Sequence, residues 1–436
     1  MTSFARRALA GLVAAACLTT VTNVARSDEK GLREVSQKRL TGRLTELTMR
    51  TPAFAHDTKV RVLLPADYAR STRRYPVLYL LNGGAGSYLD WTTLGDAEHL
   101  TAGLPLIVVM PDGGTGGNYT DWYGDDGSGQ RPLWETYHVD QLLPWVDHHY
   151  RTTGAHGLAG MSMGGNGTLH YAARHPDLFE AAASFSGAVD VLDPAMTGIT
   201  ETTGMLDGAL PGAVFGPRLT QEVRWRASNP IDLAGNLAHT WLSIATGNGQ
   251  PGGPGGETVP DGTETIVHRE NVELHDALTA LHIKHVWRDY GAGGHVWFYW
   301  KRELRIALPG LLRALQTPRP TPTQFTQWAV EPTYQAWGWQ VRLTRPVLEA
   351  STLAVSGSSF TLSGSGTATV TTPPSTHTVT ARITDAKGTR TKVLRPGPDH
   401  RITVQVDLGP PNAYQEYTIP TQSLGTAVRE ARVTLS

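Results

Sequence analysis

The chain has 436 residues, of which 40% are apolar and 18% charged, so it can bury large cores in two or three domains and is not a disordered protein. Its 38 basic residues against 39 acidic ones, without a Lys/Arg block, exclude the footprint of a nucleic-acid binder and a polybasic membrane patch. The 47 Gly and 28 Pro call for many turns and long loops.

Residues 1–27 differ in kind from the rest. Arg6 and Arg7 precede ALAGLVAAACLTTV, an apolar run too short to span a bilayer, and Ala25 and Ser27 frame a small-x-small cleavage site before Asp28. This predicts a secretory signal peptide and a secreted or cell-envelope location, with the twin arginine also compatible with export of a folded chain. The one cysteine, Cys17, lies in this segment as either a residue lost on cleavage or a lipidation site. No other segment is apolar enough to predict a transmembrane helix.

From about residue 57, β-type apolar runs alternate with helical periods. Strands are predicted at 60–65, 75–82, 105–112, 156–160, 181–187, 241–249 and 285–290, and helices at 132–150, 162–175, 270–282 and 301–315. Several strands are apolar on both faces, which predicts a mostly parallel sheet covered on both sides, with sites at the carboxyl ends of its strands. TPRPTPT at 317–323 reads as a semi-rigid linker, and the alternating pattern of 324–436 as a separate β-sandwich. Residues 28–316 thus form the candidate catalytic domain.

The segment HGLAGMSMGGNG places Ser162 between glycines, after a strand and before a helix. A Gly-x-Ser-x-Gly turn there would lift the hydroxyl to a helix N-terminus, where developing negative charge is favoured. A tight turn with an incidental serine would share those letters. A serine hydroxyl attacks an ester only with a base beside it. His295, in the glycine-rich GAGGHVWFYW after the last strand, can supply one. The base needs an orienting acid, and the loop after 241–249 offers Glu257, Asp261 and Glu264; Glu264 is preferred because it opens a helical stretch 31 residues before His295. An oxyanion hole needs two backbone donors, assigned to Met163 and to Gly84 in AsnGlyGly (82–84).

The segments YPVLYLLNGGAGSYLDW, LIVVMPDGG, DWYG with LWETYHVDQLLPW, GLAGMSMGGNG with HPDLFEAAASFSG, and GGHVWFYW together resemble the esterase D family, and within it the branch of secreted mycolyltransferases. The resemblance spans about residues 45–315. It implies an α/β-hydrolase fold, Ser162 as nucleophile, His295 as base, Glu264 as acid and the Gly84 and Met163 amides as oxyanion donors. By position it also puts Asn82 and Trp297 at the substrate. Mycolyltransferases carry Asp, then Leu and Arg two and three residues on, to hold trehalose; here Asn82, Gly84 and Ala85 stand there, so a trehalose site of that kind is not expected. Their cysteine pair is replaced by GDDGSGQRPL.

The expected activity is a serine esterase acting on carboxylic esters or acyl lipids, with transfer of the acyl group to a sugar or glycerol hydroxyl as the alternative. A non-catalytic envelope-binding protein on the same scaffold is the rival from another class. No His-Glu-x-x-His run or P-loop lysine is present, so no metal or cofactor is expected. The sandwich could adhere to cell wall or polysaccharide through Trp337 and Trp339, or these could pack in its core or against the catalytic domain, which is preferred.

Overall fold

A computed structural model describes residues 31–317 and 319–436. The predicted signal peptide and Cys17 lie outside the described residues.

Among the described residues nine strands form one sheet: β1 (Arg33–Arg39), β2 (Leu44–Arg50), β3 (Thr58–Leu63), β4 (Tyr75–Leu81), β5 (Ile107–Pro111), β6 (Thr152–Met161), β7 (Ala181–Phe185), β8 (Trp241–Thr246) and β9 (Val286–Asp289). Their order is β1-β2-β3-β5-β4-β6-β7-β8-β9. The pairs from β5 through β4, β6, β7 and β8 to β9 are parallel, while β1, β2 and β3 join antiparallel at one edge. The central strands β4, β5 and β7 are buried at every residue, because apolar cores cover both faces. Strand β1, REVSQKR, is mostly exposed; its charges suit an edge strand and leave no apolar alternation to read.

The helices are α1 (Asp90–Thr93), α2 (Ala97–Leu100), α3 (Leu143–His149), α4 (Met163–Arg174), α5 (Pro194–Leu206), α6 (Arg218–Ala227), α7 (Gly262–Ala280), α8 (Trp297–Gln316) and α9 (Ile419–Leu424). Three differ from expectation. The predicted helix 132–150 is a π-helical stretch, Thr136–Leu142, running into α3, and the Leu143 N–H bonds back to the His138 carbonyl. Helix α7 starts at Gly262 rather than 270, because Asp261 caps it by accepting the N–H of Glu264. Helix α8 starts four residues early, at Trp297, its first turn held by burial of Tyr299 and Trp300.

Beyond residue 323 two antiparallel sheets face each other. The strands are β10 (Gln324–Ala329), β11 (Thr333–Ala336), β12 (Trp339–Thr344), β13 (Ser351–Ser356), β14 (Ser359–Gly364), β15 (Thr367–Pro374), β16 (Val379–Asp385), β17 (Gly388–Leu394), β18 (Arg401–Asp407) and β19 (Arg429–Leu435). One sheet runs β10-β13-β14-β19-β16-β17 and the other β11-β12-β15-β18. Trp337 and Trp339 are buried in the core between them, and Trp337 also meets His239 edge-on and lies under the Arg319 guanidinium. Neither tryptophan is available to a polysaccharide.

This unit is docked on the first one. Gln327 Nε2 donates to the Ala173 carbonyl at 3.1 Å, Trp328 and Asn236 exchange two hydrogen bonds of 2.9 Å, and Arg174 bridges Glu135 and Glu331. Arg319, inside the Pro/Thr run, donates to the carbonyls of Phe179 and His239 at 3.0 Å.

Candidate active site

Four strand ends converge. At the end of β6, Ser162 has φ 54° and ψ −123°, a left-handed backbone that L-residues adopt only when their surroundings enforce it. The enforcement is close packing. A Cβ on Gly160 would lie 2.2 Å from the Gly164 carbonyl oxygen, and one on Gly164 would lie 2.4 Å from the Leu81 oxygen and 2.6 Å from the Asn82 oxygen. Only glycines let the turn seat itself against the end of β4.

His295 Nε2 is 2.8 Å from Ser162 Oγ, and His295 Nδ1 is 2.8 Å from Glu264 Oε2. The imidazole packs edge-on against Trp300, with ring centroids 4.9 Å apart. Glu264 is fully buried, and its Oε1 accepts from Gly247 N at 2.7 Å, Ser186 Oγ at 2.8 Å and Thr246 Oγ1 at 3.2 Å, with the Tyr290 hydroxyl at 3.4 Å. With Oε1 filled by donors, Oε2 takes the Nδ1 proton, which leaves Nε2 as the acceptor for the serine hydroxyl.

Asp261, the competing acid, does not touch the ring. Its Oδ2 accepts the backbone N–H of His295 at 2.8 Å and its Oδ1 that of Glu264 at 3.1 Å. Burial pushes its carboxyl up, and these backbone donors outweigh burial and hold it below the usual carboxylate range. Glu257 instead accepts from the Tyr299 hydroxyl at 2.7 Å.

Gly84 and Met163 lie side by side: a Cβ on Gly84 would be 3.9 Å from Met163 Cβ. Met163 is the first residue of α4, so its N–H has no partner within the helix. The Ala85 N–H after Gly84 is taken by the Thr115 carbonyl at 2.7 Å, which pins the loop. Beneath it the Trp91 indole N–H bonds the Leu81 carbonyl at 2.9 Å.

Asn82, expected at the substrate, is fully buried. Its Nδ2 donates to the Gly83 and Gly114 carbonyls at 3.0 and 3.3 Å, and its Oδ1 accepts from Gly113 N at 3.0 Å. The side chain ties the β4 loop to the β5 loop and offers nothing to a ligand. Trp297 is half-buried at the start of α8, edge-on to Trp91 at 5.1 Å and to Trp300 at 5.3 Å.

The sequence reading missed Ser186. It follows β7, has φ 45°, is buried and donates to Glu264. The available signal was a polar residue closing an apolar parallel strand, AAASFSG.

Among the described residues no group of three or more His, Cys, Asp or Glu is placed to hold a metal ion, and no helix is long and apolar enough to cross a membrane.

The Esterase family model matches residues 51–311, which contain every one of these groups. The chain belongs to the esterase family. Esterase Rv1288 of Mycobacterium tuberculosis is 34% identical over 305 residues, covering 67% of this chain and 64% of that protein, so the chain spans somewhat under two thirds of that relative. Diacylglycerol acyltransferase/mycolyltransferase Ag85B of Mycobacterium leprae is 32% identical over 255 residues, covering 55% of this chain and 76% of that one. Among solved structures, MPT51 (FbpC1) of Mycobacterium tuberculosis has a TM-score of 0.51 at 21% identity, covering 64% of this chain and 99% of that one. An S-formylglutathione hydrolase of Agrobacterium tumefaciens has 0.51 at 16% identity, covering 65% and 99%. These two likenesses speak to the α/β-hydrolase fold of this esterase-family chain.

Proposed function

We infer that the chain is a secreted serine esterase that cleaves carboxylic esters through an acyl-serine intermediate. The observation that carries this reading is the unbroken line from Glu264 through His295 to Ser162, 2.8 Å at each step.

In this reading Ser162 Oγ attacks the ester carbonyl carbon while His295 Nε2 takes its proton, and Glu264 stabilises the imidazolium that forms. The Gly84 and Met163 amides receive the oxyanion, each donor being worth about 3 kcal/mol in the transition state. On collapse the alcohol leaves with the proton from Nε2, and the acyl group remains on Oγ. A water then gives its proton to Nε2 and attacks the acyl carbon, releasing the acid and restoring the serine.

An alcohol can replace that water, which makes acyl transfer to a sugar or glycerol hydroxyl the second reading. Likeness to an enzyme named diacylglycerol acyltransferase/mycolyltransferase favours it. The position of Trp297, two residues after His295, supports a role beside the incoming acyl acceptor, water or alcohol. Secretion is supported by the pattern of residues 1–27 and is tested by the N-terminal sequence of the exported protein.

A fluorophosphonate probe tests the enzyme reading. Labelling of the wild type that is absent in Ser162→Ala is expected; a folded wild type that resists the probe points to the non-catalytic scaffold instead. Product analysis on esters of graded acyl length, with and without a sugar acceptor, separates hydrolysis from transfer.

A further inference from the structure

Where the sandwich docks, it leaves a cleft of about 590 Å³. The cleft lies beside Arg174, at the end of α4 opposite Ser162, about 18 Å along the helix axis. Its floor is the outward face of β11, β12 and β15. There Gln335, Gln340 and Thr371 form one cross-strand rank, and Thr333, Arg342 and Thr369 the next. The facing wall, carried by the catalytic unit and β10, is apolar at Leu178, Leu233 and Trp328.

We propose that this cleft binds a neutral oligosaccharide chain. Five of the six floor residues are amides or hydroxyls, each able both to donate and to accept, as sugar hydroxyls do. Strand spacing sets neighbours in a rank about 5 Å apart, so successive hydroxyls of an extended chain meet successive side chains. On that wall Leu178 and Trp328, both partly exposed, offer a surface to the apolar C–H faces of sugar rings. Charge favours no ion: the lining carboxylates Asp140 and Glu331 are matched by Arg174 and Arg342, and Arg174 is already held between Glu135 and Glu331. An outward Gln/Thr face on a β-sandwich is ordinary when it looks only into water; here residues of the catalytic unit line the same cleft, while Thr333, Gln335, Gln340 and Arg342 stay exposed and open to a ligand. With Trp337 and Trp339 buried, contact of the sandwich with polysaccharide does not run through these tryptophans, and the cleft offers another surface for it.

The test is calorimetric titration of the full chain with xylo-, cello- and malto-oligosaccharides. Saturable binding of at least one series is expected, weakened tenfold or more in the Gln340→Ala/Thr371→Ala double variant and abolished by Thr369→Trp, whose indole obstructs the floor. Unfolding midpoints close to wild type establish that the variants are folded, and Arg342→Glu is the alternative should either fail that check. No saturable binding by any series, or binding that survives these variants, overturns the proposal. So does binding abolished by blocking Ser162 with a fluorophosphonate, which would place the sugar at the serine instead. Only the fluorophosphonate arm needs a reactive serine; the titrations of the wild type and the cleft variants do not, so their result is independent of the esterase reading.

Discussion

Asp261 and His295 are joined through the backbone: Asp261 Oδ2 accepts the His295 N–H at 2.8 Å, while the ring of the same histidine goes to Glu264. The start of α7 thus uses two acids for two tasks, one holding the position of the imidazole and the other its proton. Glu264→Gln should lower kcat by orders of magnitude, because an amide cannot stabilise the imidazolium as a carboxylate does. Asp261→Asn keeps one acceptor and loses the other, at a cost of about 1 kcal/mol in stability and about tenfold or less in kcat. Steady-state kinetics on an aryl ester decide; a larger kcat loss in Asp261→Asn would reverse the two roles.

Gly164→Ala tests the packing that shapes the serine turn. Its Cβ would meet two backbone oxygens, Leu81 and Asn82, at 2.4 and 2.6 Å, and relief by moving either shifts the backbone that leads into Gly84. Overpacking of this kind costs about 1–3 kcal/mol, and fluorophosphonate labelling should slow even in the folded fraction. Gly198→Ala is the contrast: a Cβ there meets nothing within 4 Å inside α5, so stability should hold or rise.

The central sheet and the Ser162–His295 pair were legible because local chemistry encodes them. Doubly apolar strands announce a covered parallel sheet, and glycine-flanked polar residues mark its ends. What stayed hidden depends on partners remote in sequence. Strand β1 is recognisable only through its pairing with β2, and α6, RLTQEVRWRA, has a kink at Gln221 and a largely polar sequence. The family resemblance put Asn82 at the substrate by position, yet Gly113 and Gly114, about thirty residues on, capture its side chain. The run TPRPTPT reads as a semi-rigid linker by composition, and its composition does not show that Arg319 within it is pinned to Phe179 and His239.

That docking has an energetic consequence at Glu331. Burial alone would lower the pKa of Arg174, but Glu135 and Glu331 outweigh it and hold the guanidinium above its ordinary value. Glu331→Gln removes the one of these two carboxylates that reaches Arg174 from the docked unit. Because Glu331 is itself one-third exposed, the loss should be about 1–2 kcal/mol rather than the full cost of breaking a buried pair. Scanning calorimetry should show a lower midpoint with unchanged labelling of Ser162, since Arg174 is at the far end of α4; an unchanged midpoint would mean that the bridge adds nothing to docking.

Glu270 predicts a pH dependence of opposite sense to that of a paired carboxylate. It is 1% exposed, its Oε1 has no hydrogen-bond partner among the described residues, and its Oε2 accepts from Asp190 N at 3.3 Å. Burial, with Asp190 and Asp193 nearby, pushes its carboxyl up from 4.5 to about 9. The folded chain therefore keeps this proton where the unfolded chain releases it, so stability falls as pH rises from 4.5 towards 9. At pH 7 the accumulated penalty is about 3 kcal/mol, at about 1.4 kcal/mol per pH unit. Glu270→Gln cannot ionise in either state and escapes it. Thermal unfolding of the two proteins should give a difference near its minimum at pH 4.5 that widens in favour of the glutamine variant up to about pH 9; a difference that does not vary with pH would show that Glu270 is ionised and matched in the fold.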